Sequence, residues 1–312
     1  MRYKNGVARL GLILGAMLFV FAEISAAQNK LPSAGMVTFT VTAVGKKDAN
    51  ASAITMDDVQ LTVNKERKQI GDWKKSDQLF LAILIDDSID TNAAGQWNDL
   101  KAFIMAQPES THIALGYIRN NTTMIAQDFT QNKELVAKAL RIPLGRGGIG
   151  SSPYLGTIDM LKRWPNTGPS RSILLISSGI DYFRGASFGP FYPDLDPLIQ
   201  RAEKQNTNVW TVYYPSSGHR GHNFFEGNMA QNNIAKLSEE TGAESYFLGY
   251  GTPVSLKPYF DEIGEHLSNQ YLLSFAGNGG PKGKFARAQV KTELKDVEFF
   301  MPSNIWLSPA AK

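Results

Sequence analysis

The sequence contains no cysteine, and this absence excludes several kinds of chemistry. A chain of 312 residues without cysteine has no disulfide, no thiolate metal site and no cysteine nucleophile. An excess of one charge is also lacking, because 32 basic and 29 acidic residues leave a formal net charge of +3. Nucleic acid is therefore not expected as the main partner. The 43% of hydrophobic residues predict a globular protein with a sizeable core.

The first 27 residues have the pattern of an export signal. An apolar run over 10–22 is followed by Ser25-Ala26-Ala27, the small residues that a signal peptidase requires. The run is shorter than the roughly 20 residues that span a membrane. We expect cleavage after residue 27, which leaves no membrane span and an exported protein, periplasmic or secreted; an uncleaved anchor is the alternative. The basic residues before the run are Arg2, Lys4 and Arg9.

Residues 28–77 are predicted to form a small β segment. Residues 36–44 alternate apolar and polar side chains, which is typical of a strand, and shorter strands are predicted at 59–63 and 69–73. So small a unit needs a partner sheet for stability. We expect the strands predicted within 270–312, at 270–275, 286–292 and 297–300, to pack with it.

Residues 78–269 are predicted to form an α/β domain. Continuous apolar runs at 79–85 and 172–177 are typical of strands buried on both faces of a sheet. Strands and helices then alternate, which predicts a doubly wound, mainly parallel, Rossmann-like sheet. The other predicted strands are 113–119, 124–129, 208–214 and 244–248, and the predicted helices are 97–105, 133–140, 153–163, 198–205, 228–241 and 256–266.

Three polar stretches are predicted to meet at one edge of this sheet. Residues 86–90 (Asp-Asp-Ser-Ile-Asp) follow the first buried strand, and 177–179 (Ser-Ser-Gly) follow the second. Between them, 147–151 (Gly-Gly-Ile-Gly-Ser) open a helix. Ligands of open parallel sheets bind at the carboxyl ends of the strands, beside a topological switch point. The sequence therefore predicts a binding site at this edge.

This arrangement resembles the von Willebrand factor type A (VWA) family. Members of that family form a metal ion-dependent adhesion site from an Asp-x-Ser-x-Ser stretch, a Thr in a Gly-Gly loop and an Asp after the central strand. Asp86 and Ser88 match the first two ligands. Asp90 stands where the second Ser is expected, Ser151 where the Thr is expected, and Ser178 where the later Asp is expected.

The resemblance extends to the flanking strands. Residues 54–73 are similar to the segment that precedes the domain in bacterial exported VWA-related proteins, and 271–275 with 283–292 are similar to their closing hairpin. The resemblance implies a non-enzymatic adhesion module that recognises a protein partner through the loops at the carboxyl edge. It also implies a divalent cation, Mg²⁺ or else Ca²⁺ or Mn²⁺.

The departures from the family pattern leave two interpretations open. Ser178 removes a carboxylate and Asp90 adds one, so the ligand charge is preserved but its position changes. Asp181 is a further candidate carboxylate. The alternative is that Asp86, Ser88 and Asp90 only accept hydrogen bonds from backbone N–H groups of the loop and the next helix.

Two other motifs are interpreted as structural. Gly145, Gly147 and Gly150 satisfy G-x-G-x-x-G, but no strand precedes them, which argues against a dinucleotide site. His219 and His222 have a His-x-x-His spacing, yet zinc needs a third ligand that the sequence does not identify. Solvated loop histidines are the expected interpretation. The remaining histidines, His112 and His266, are isolated and are interpreted as structural.

An enzyme is not expected. Ser177 and Ser178 do not form the G-x-S-x-G elbow, and no His–Asp pair is placed to activate them. Metal-assisted hydrolysis with Asp86 or Asp90 as base is one alternative. A structural or assembly protein of the cell envelope with a vestigial site is the other.

Aromatic residues are concentrated in two predicted loops. Residues 182–192 contain five aromatic residues and an arginine, and 213–225 contain four aromatic residues. Such a composition is typical of a recognition surface. The alternative is that the rings pack down on the sheet edge.

Overall fold

The computed structural model describes residues 35–45, 54–145, 151–165, 168, 170–183, 192–218, 223–247, 249, 251 and 253–309. The predicted export signal, most of the Gly-rich loop, the pair His219 and His222, and 184–191 lie outside them. The strands are β1 Met36–Gly45, β2 Val59–Val63, β3 Glu66–Lys68, β4 Ile70–Lys75, β5 Phe80–Asp86, β6 His112–Arg119, β7 Thr122–Thr130, β8 Arg171–Ser177, β9 Thr207–Tyr213, β10 Ser245–Tyr246, β11 Gln270–Ala276, β12 Lys284–Thr292, β13 Val297–Phe300 and β14 Asn304–Leu307. The α-helices are α1 Trp97–Ala106, α2 Lys133–Lys138, α3 Pro153–Arg163, α4 Leu195–Lys204, α5 Phe224–Glu240 and α6 Lys257–Ser268.

A six-stranded sheet forms the centre of the fold, with the order β10-β9-β8-β5-β6-β7. All its pairs are parallel except that of β7 with β6, which is antiparallel. All seven residues of β5 are buried, as the continuous apolar run requires of a central strand. The predicted doubly wound, mainly parallel α/β fold is confirmed.

Helices cover both faces of this sheet. Alternate residues of β5 point to opposite faces, so Leu81 and Ile83 pack with α1, α2 and α6, while Ala82 and Leu84 pack with α3, α4 and α5. The chain leaves β5 towards β6 and later returns to the other side of β5 as β8. This reversal makes the gap between the carboxyl ends of β5 and β8 the topological switch point.

Two antiparallel four-stranded sheets complete the fold, with the orders β13-β1-β11-β4 and β14-β12-β2-β3. Their apolar side chains share one core, in which Phe39, Leu61 and Leu273 are almost fully buried. Strands from both ends of the described chain pair with each other, β1 with β11 and β2 with β12. The described residues fall within one compact unit.

The closing hairpin inferred from the family resemblance is wrong. The strand at 271–275 belongs to β11, which pairs with β1 and β4, whereas β12 pairs with β2 and β14. The two strands therefore lie in different sheets, because each finds its partner in the first part of the chain. Two short strands, β3 and β14, were not predicted; β3 has only three residues, which is too few for a visible alternation.

The lengths and compositions of the described helices bear on whether a helix of this chain can cross a membrane. Among the described residues, no helix combines the length and the apolar composition that crossing a bilayer requires.

Gly242 is expected to tolerate no side chain. Its φ is +78°, and a Cβ there would lie 2.4 Å from the backbone carbon of Met301. We expect Gly242→Ala to lower the free energy of unfolding by about 3 kcal/mol, because it adds left-handed strain to a backbone clash. Chemical denaturation measures the effect. Gly249→Ala is the control, since φ there is +91° but an added Cβ would meet nothing within 4 Å among the described residues beyond its chain neighbours; about 1 kcal/mol is expected. Equal losses in the two variants would contradict the clash.

Glu203 is expected to make stability depend on pH. This side chain of α4 is only 5% exposed, and burial raises its pKa from 4.5 to about 7. The folded state then holds a proton that the unfolded state has lost, so stability is highest below about pH 4.5 and falls as the pH rises through 7. We expect a loss of roughly 1–3 kcal/mol over this range, measured by urea unfolding.

A matched pair of variants isolates this effect. Glu203 Oε1 accepts hydrogen bonds from the backbone N–H (2.9 Å) and Nδ2 (3.0 Å) of Asn304, and a glutamine oxygen preserves both. Glu203→Gln should therefore make the decline with pH smaller by about this amount, whereas Glu239→Gln, at an exposed position of α5, should leave it unchanged. An unchanged pH profile in Glu203→Gln would contradict the assignment.

Candidate metal centre

Asp86 ends β5 at the switch point and is fully buried. Its Oδ2 accepts a hydrogen bond from Ser177 Oγ at 2.7 Å, and its Oδ1 accepts one from the backbone N–H of Ser88 at 2.9 Å. Burial raises the pKa of this carboxyl, an effect that the hydrogen bonds from Ser177 and Ser88 oppose. An ionised carboxylate at this position is costly unless a cation balances it.

Two buried hydroxyl groups near this strand end are unsatisfied. Ser88 Oγ and Ser151 Oγ have no hydrogen-bond partner of good geometry among the described residues. Their residues are 2% and 6% exposed, respectively. Buried polar atoms are nearly always hydrogen-bonded, so these two hydroxyl groups are available to a ligand, an ion or a water at this place. Both residues are among those that the sequence predicts as metal ligands.

The turn after β8 connects the predicted site residues. Ser177 bonds Asp86, as described above, and the carboxylate of Asp181 accepts a hydrogen bond from Ser152 Oγ at 3.1 Å. The backbone N–H of Tyr182 donates to the carbonyl of Ser151 at 2.9 Å. The same short turn thus contacts both the end of β5 and the start of α3.

The turn after β9 joins the same edge. Ser216 Oγ donates to the carbonyl of Ser88 at 2.9 Å and lies 2.5 Å from the hydroxyl of Tyr182. The backbone N–H of Asp90 donates to the carbonyl of Pro215. We call the edge formed by 86–90, 151–152, 177–183 and 215–217 the rim.

Asp90 and Ser178 bond to the backbone. Asp90 Oδ1 accepts from the N–H of Asn92 at 2.9 Å and caps the 3-10 turn Thr91–Gln96, which is the interaction foreseen in the alternative interpretation. Ser178 Oγ accepts from the N–H of Ile180 at 3.3 Å. Each side chain therefore accepts a hydrogen bond from the backbone of its own loop. Metal ligation by either residue stays a prediction.

Asp87 is held by an arginine that the sequence did not single out. Arg141 makes a two-pronged ion pair with its carboxylate, at 2.7 Å and 2.6 Å, and lies 3.7 Å from the centre of the Tyr117 ring. The hydrogen bond to Asp87 raises the pKa of Arg141 further above its ordinary value. Asp87 is thus balanced by a positive charge, whereas the hydrogen bonds that Asp86 accepts come from Ser177 and the backbone of Ser88.

The aromatic residues divide into buried and exposed sets. Tyr192, Tyr213 and Tyr214 are buried, as expected if the rings pack on the sheet edge. Phe183 is 46% exposed beside Tyr182, and the exposed Phe224 and Phe225 begin α5. Residues 184–191, in the middle of the first loop, lie outside the described chain.

The donor set fits a hard divalent cation. Asp86 offers a carboxylate, and Ser88 and Ser151 offer hydroxyl oxygens without other partners among the described residues. Mg²⁺ prefers oxygen ligands and keeps several waters, so a set of few protein oxygens is chemically suitable. No nitrogen or sulfur ligand is needed.

The missed residues had no signal in the sequence. Ser152, Arg141 and Ser216 reach the rim because α3, the loop after α2 and the turn after β9 converge there. Neither spacing nor a motif marks them. Of these three missed residues, only Ser216 lies shortly after a predicted strand, so only Ser216 could have been found by its position in the sequence.

Comparison with known proteins gives a likeness in structure alone. No protein-family model and no curated protein matches the chain. Similar solved structures include an aerotolerance-related membrane protein from Bacteroides fragilis, with 10% identity over 61% of this chain and 98% of that one and a TM-score of 0.42. BatB from Bacteroides thetaiotaomicron has 11% identity, the same coverages and a TM-score of 0.41. A von Willebrand factor type A protein from Catenulispora acidiphila has 9% identity over 82% of this chain and 74% of that one, with a TM-score of 0.43. Values this low carry no argument about family or function.

Proposed function

We propose that this protein is an exported, non-enzymatic, VWA-like binding module that recognises a protein partner through the rim. The supporting observation is the buried carboxylate of Asp86 together with the unsatisfied hydroxyl groups of Ser88 and Ser151. In this proposal they hold Mg²⁺, or Ca²⁺ or Mn²⁺, and an acidic side chain of the partner completes the coordination. Asp90 and Ser178 are further candidate ligands.

Exposed apolar residues at the rim and beside it support a macromolecular partner. Leu144 is 43% exposed, and its backbone N–H lies 3.4 Å from Asp87 Oδ1, one residue after Asp86. Phe183 is exposed where its N–H donates to the carbonyl of Ser151. Apolar side chains beside a polar centre are typical of the core of a protein interface.

The cation would act by binding rather than by chemistry. It supplies positive charge to an acidic group of the partner, while Asp86 orients it and is itself oriented by Ser177 and the backbone of Ser88. Arg141 neutralises Asp87, which keeps a second negative charge from opposing the partner's carboxylate.

A capture experiment tests the proposal. The tagged protein should retain a partner from the cell envelope in Mg²⁺ and release it when a chelator is added. Asp86→Asn and Leu144→Ser should each lose this retention. Met56→Ser is the matched control, because Met56 is equally exposed (45%) but precedes β2, remote in sequence from the rim. If the partner is still retained in the presence of the chelator and by Asp86→Asn, the cation-dependent function is overturned. That result would favour an envelope assembly role with a vestigial site.

A further inference from the structure

A second cluster of ligand atoms lies at the β10 edge of the six-stranded sheet. One ligand atom each from Glu244, Glu262 and His266 lies within 4.8 Å of the other two. Strand β10 is the edge strand, and β9 and β8 separate it from β5. The cluster is therefore distinct from the rim at the switch point.

Secondary structure fixes the three groups. Glu262 and His266 are four residues apart on α6, which places them on the same helix face. Glu244 directly precedes β10, and its carbonyl accepts a hydrogen bond from the N–H of Thr211 in β9. The hydroxyl of Tyr246 lies 3.3 Å from Glu244 Oε2 and 3.4 Å from His266 Nδ1, so it links two of the three groups.

The imidazole of His266 is buried among aromatic rings. His266 is 4% exposed, with its ring centre 5.4 Å from that of Trp210 and 5.7 Å from that of Phe300. Burial lowers its pKa to about 4, so at neutral pH the ring keeps a nitrogen lone pair for a metal. Two aromatic rings and the Tyr246 hydroxyl hold the ring in place, so the ligand needs little reorganisation to bind.

Negative charge gathers around this neutral ring. The pKa of Glu244 is raised by burial first, then by the charge of Glu262, and further by that of Glu298 on β13. Carboxylates that repel one another are stabilised by a shared cation. Glu262 is exposed, so an ion can reach the cluster from solvent.

We propose that Glu244, Glu262 and His266 bind a Zn²⁺ ion that joins α6 to the β10 edge. One imidazole with two carboxylates suits zinc and related first-row transition metals, whereas Mg²⁺ and Ca²⁺ prefer oxygen ligands alone. Three protein ligands leave a fourth position for water or for a group of another molecule. This site is independent of the cation at the rim.

Zinc titration of the full chain, followed by calorimetry and by thermal unfolding, tests the site. Wild-type protein should bind Zn²⁺ with a Kd below about 10 µM and unfold at a higher temperature when it is bound. Glu262→Gln should weaken this binding about 100-fold and remove the thermal shift, because it deletes one ligand charge from an exposed position that folding tolerates.

The matched control is Glu265→Gln, an exposed residue of the same helix, which should bind Zn²⁺ within about twofold of wild type. Wild type, Glu262→Gln and Glu265→Gln all contain His219 and His222, so any zinc bound there contributes equally to the three titrations and does not affect their differences. A Co²⁺ absorption band that is lost in Glu262→Gln supports ligation at the cluster. Equal zinc affinity in wild type and Glu262→Gln, or no binding by wild type at 1 mM or below, would overturn the proposal.

Discussion

Asp86→Asn is expected to abolish stabilisation by Mg²⁺ without unfolding the metal-free protein. Wild type should gain about 2.7 kcal/mol in the free energy of unfolding at a Mg²⁺ concentration 100 times Kd, and the variant should gain nothing. Without metal, the variant should be at least as stable as wild type at pH 7. The reason is that burial raises the pKa of Asp86, so its ionised form destabilises the fold until a cation balances it.

Denaturant unfolding with and without Mg²⁺ measures both parts of this expectation. Asp57→Asn is the control, because it removes the same charge from an exposed position before β2 and should retain the full gain. Two results count against the account: a Mg²⁺-dependent gain that survives in Asp86→Asn, or a large loss of stability in the metal-free variant. The second would mean that the hydrogen bonds that Asp86 accepts from Ser177 and Ser88 stabilise the fold by more than the burial of its charge costs.

Arg141→Ala is expected to destabilise the protein by about 2 kcal/mol. The substitution leaves Asp87, whose side chain is 5% exposed, without its ion pair and removes the contact with the Tyr117 ring. A buried pair that loses one partner costs roughly 3–5 kcal/mol, and the estimate here is lower because the Arg141 side chain is 42% exposed. Urea unfolding at pH 7 measures the loss.

A surface pair provides the contrast for Arg141. Lys257 and Asp261 form an ion pair on α6 with side chains 60% and 62% exposed, so Lys257→Ala should cost less than about 0.5 kcal/mol. The double variant Asp87→Asn with Arg141→Ala should recover part of the loss, since no unpaired buried charge remains. Similar losses of stability in Arg141→Ala and Lys257→Ala would show that the ion pair of Arg141 with Asp87 is as weak as a surface pair.

The fold was predictable because its central strands are short apolar runs. The runs at 79–85 and 172–177 become β5 and β8 with shifts of one residue, and all residues of the two runs are buried. Strand partners were less predictable. The pairing of β12 with β2 joins residues more than 200 positions apart, and no local pattern encodes such a choice.

The candidate site was predictable only where a residue follows a strand directly. Asp86 and Ser88 come from such a position, and the structure places them at the switch point. Arg141 reaches Asp87 from 54 residues away, which spacing does not reveal. His266 was interpreted as structural because its nearest carboxylate ligand, Glu262, looks like any helix surface residue until Glu244 is brought beside it by β10.

A crystal structure grown with Mn²⁺ tests the central claim most directly. Anomalous scattering locates the ion without any assumption about its ligands. The account predicts a peak at the switch point, within about 2.5 Å of a carboxylate oxygen of Asp86 and of the hydroxyl groups of Ser88 and Ser151. A well-ordered rim with no peak there, or with Ser151 Oγ hydrogen-bonded to a neighbouring loop instead, would contradict it.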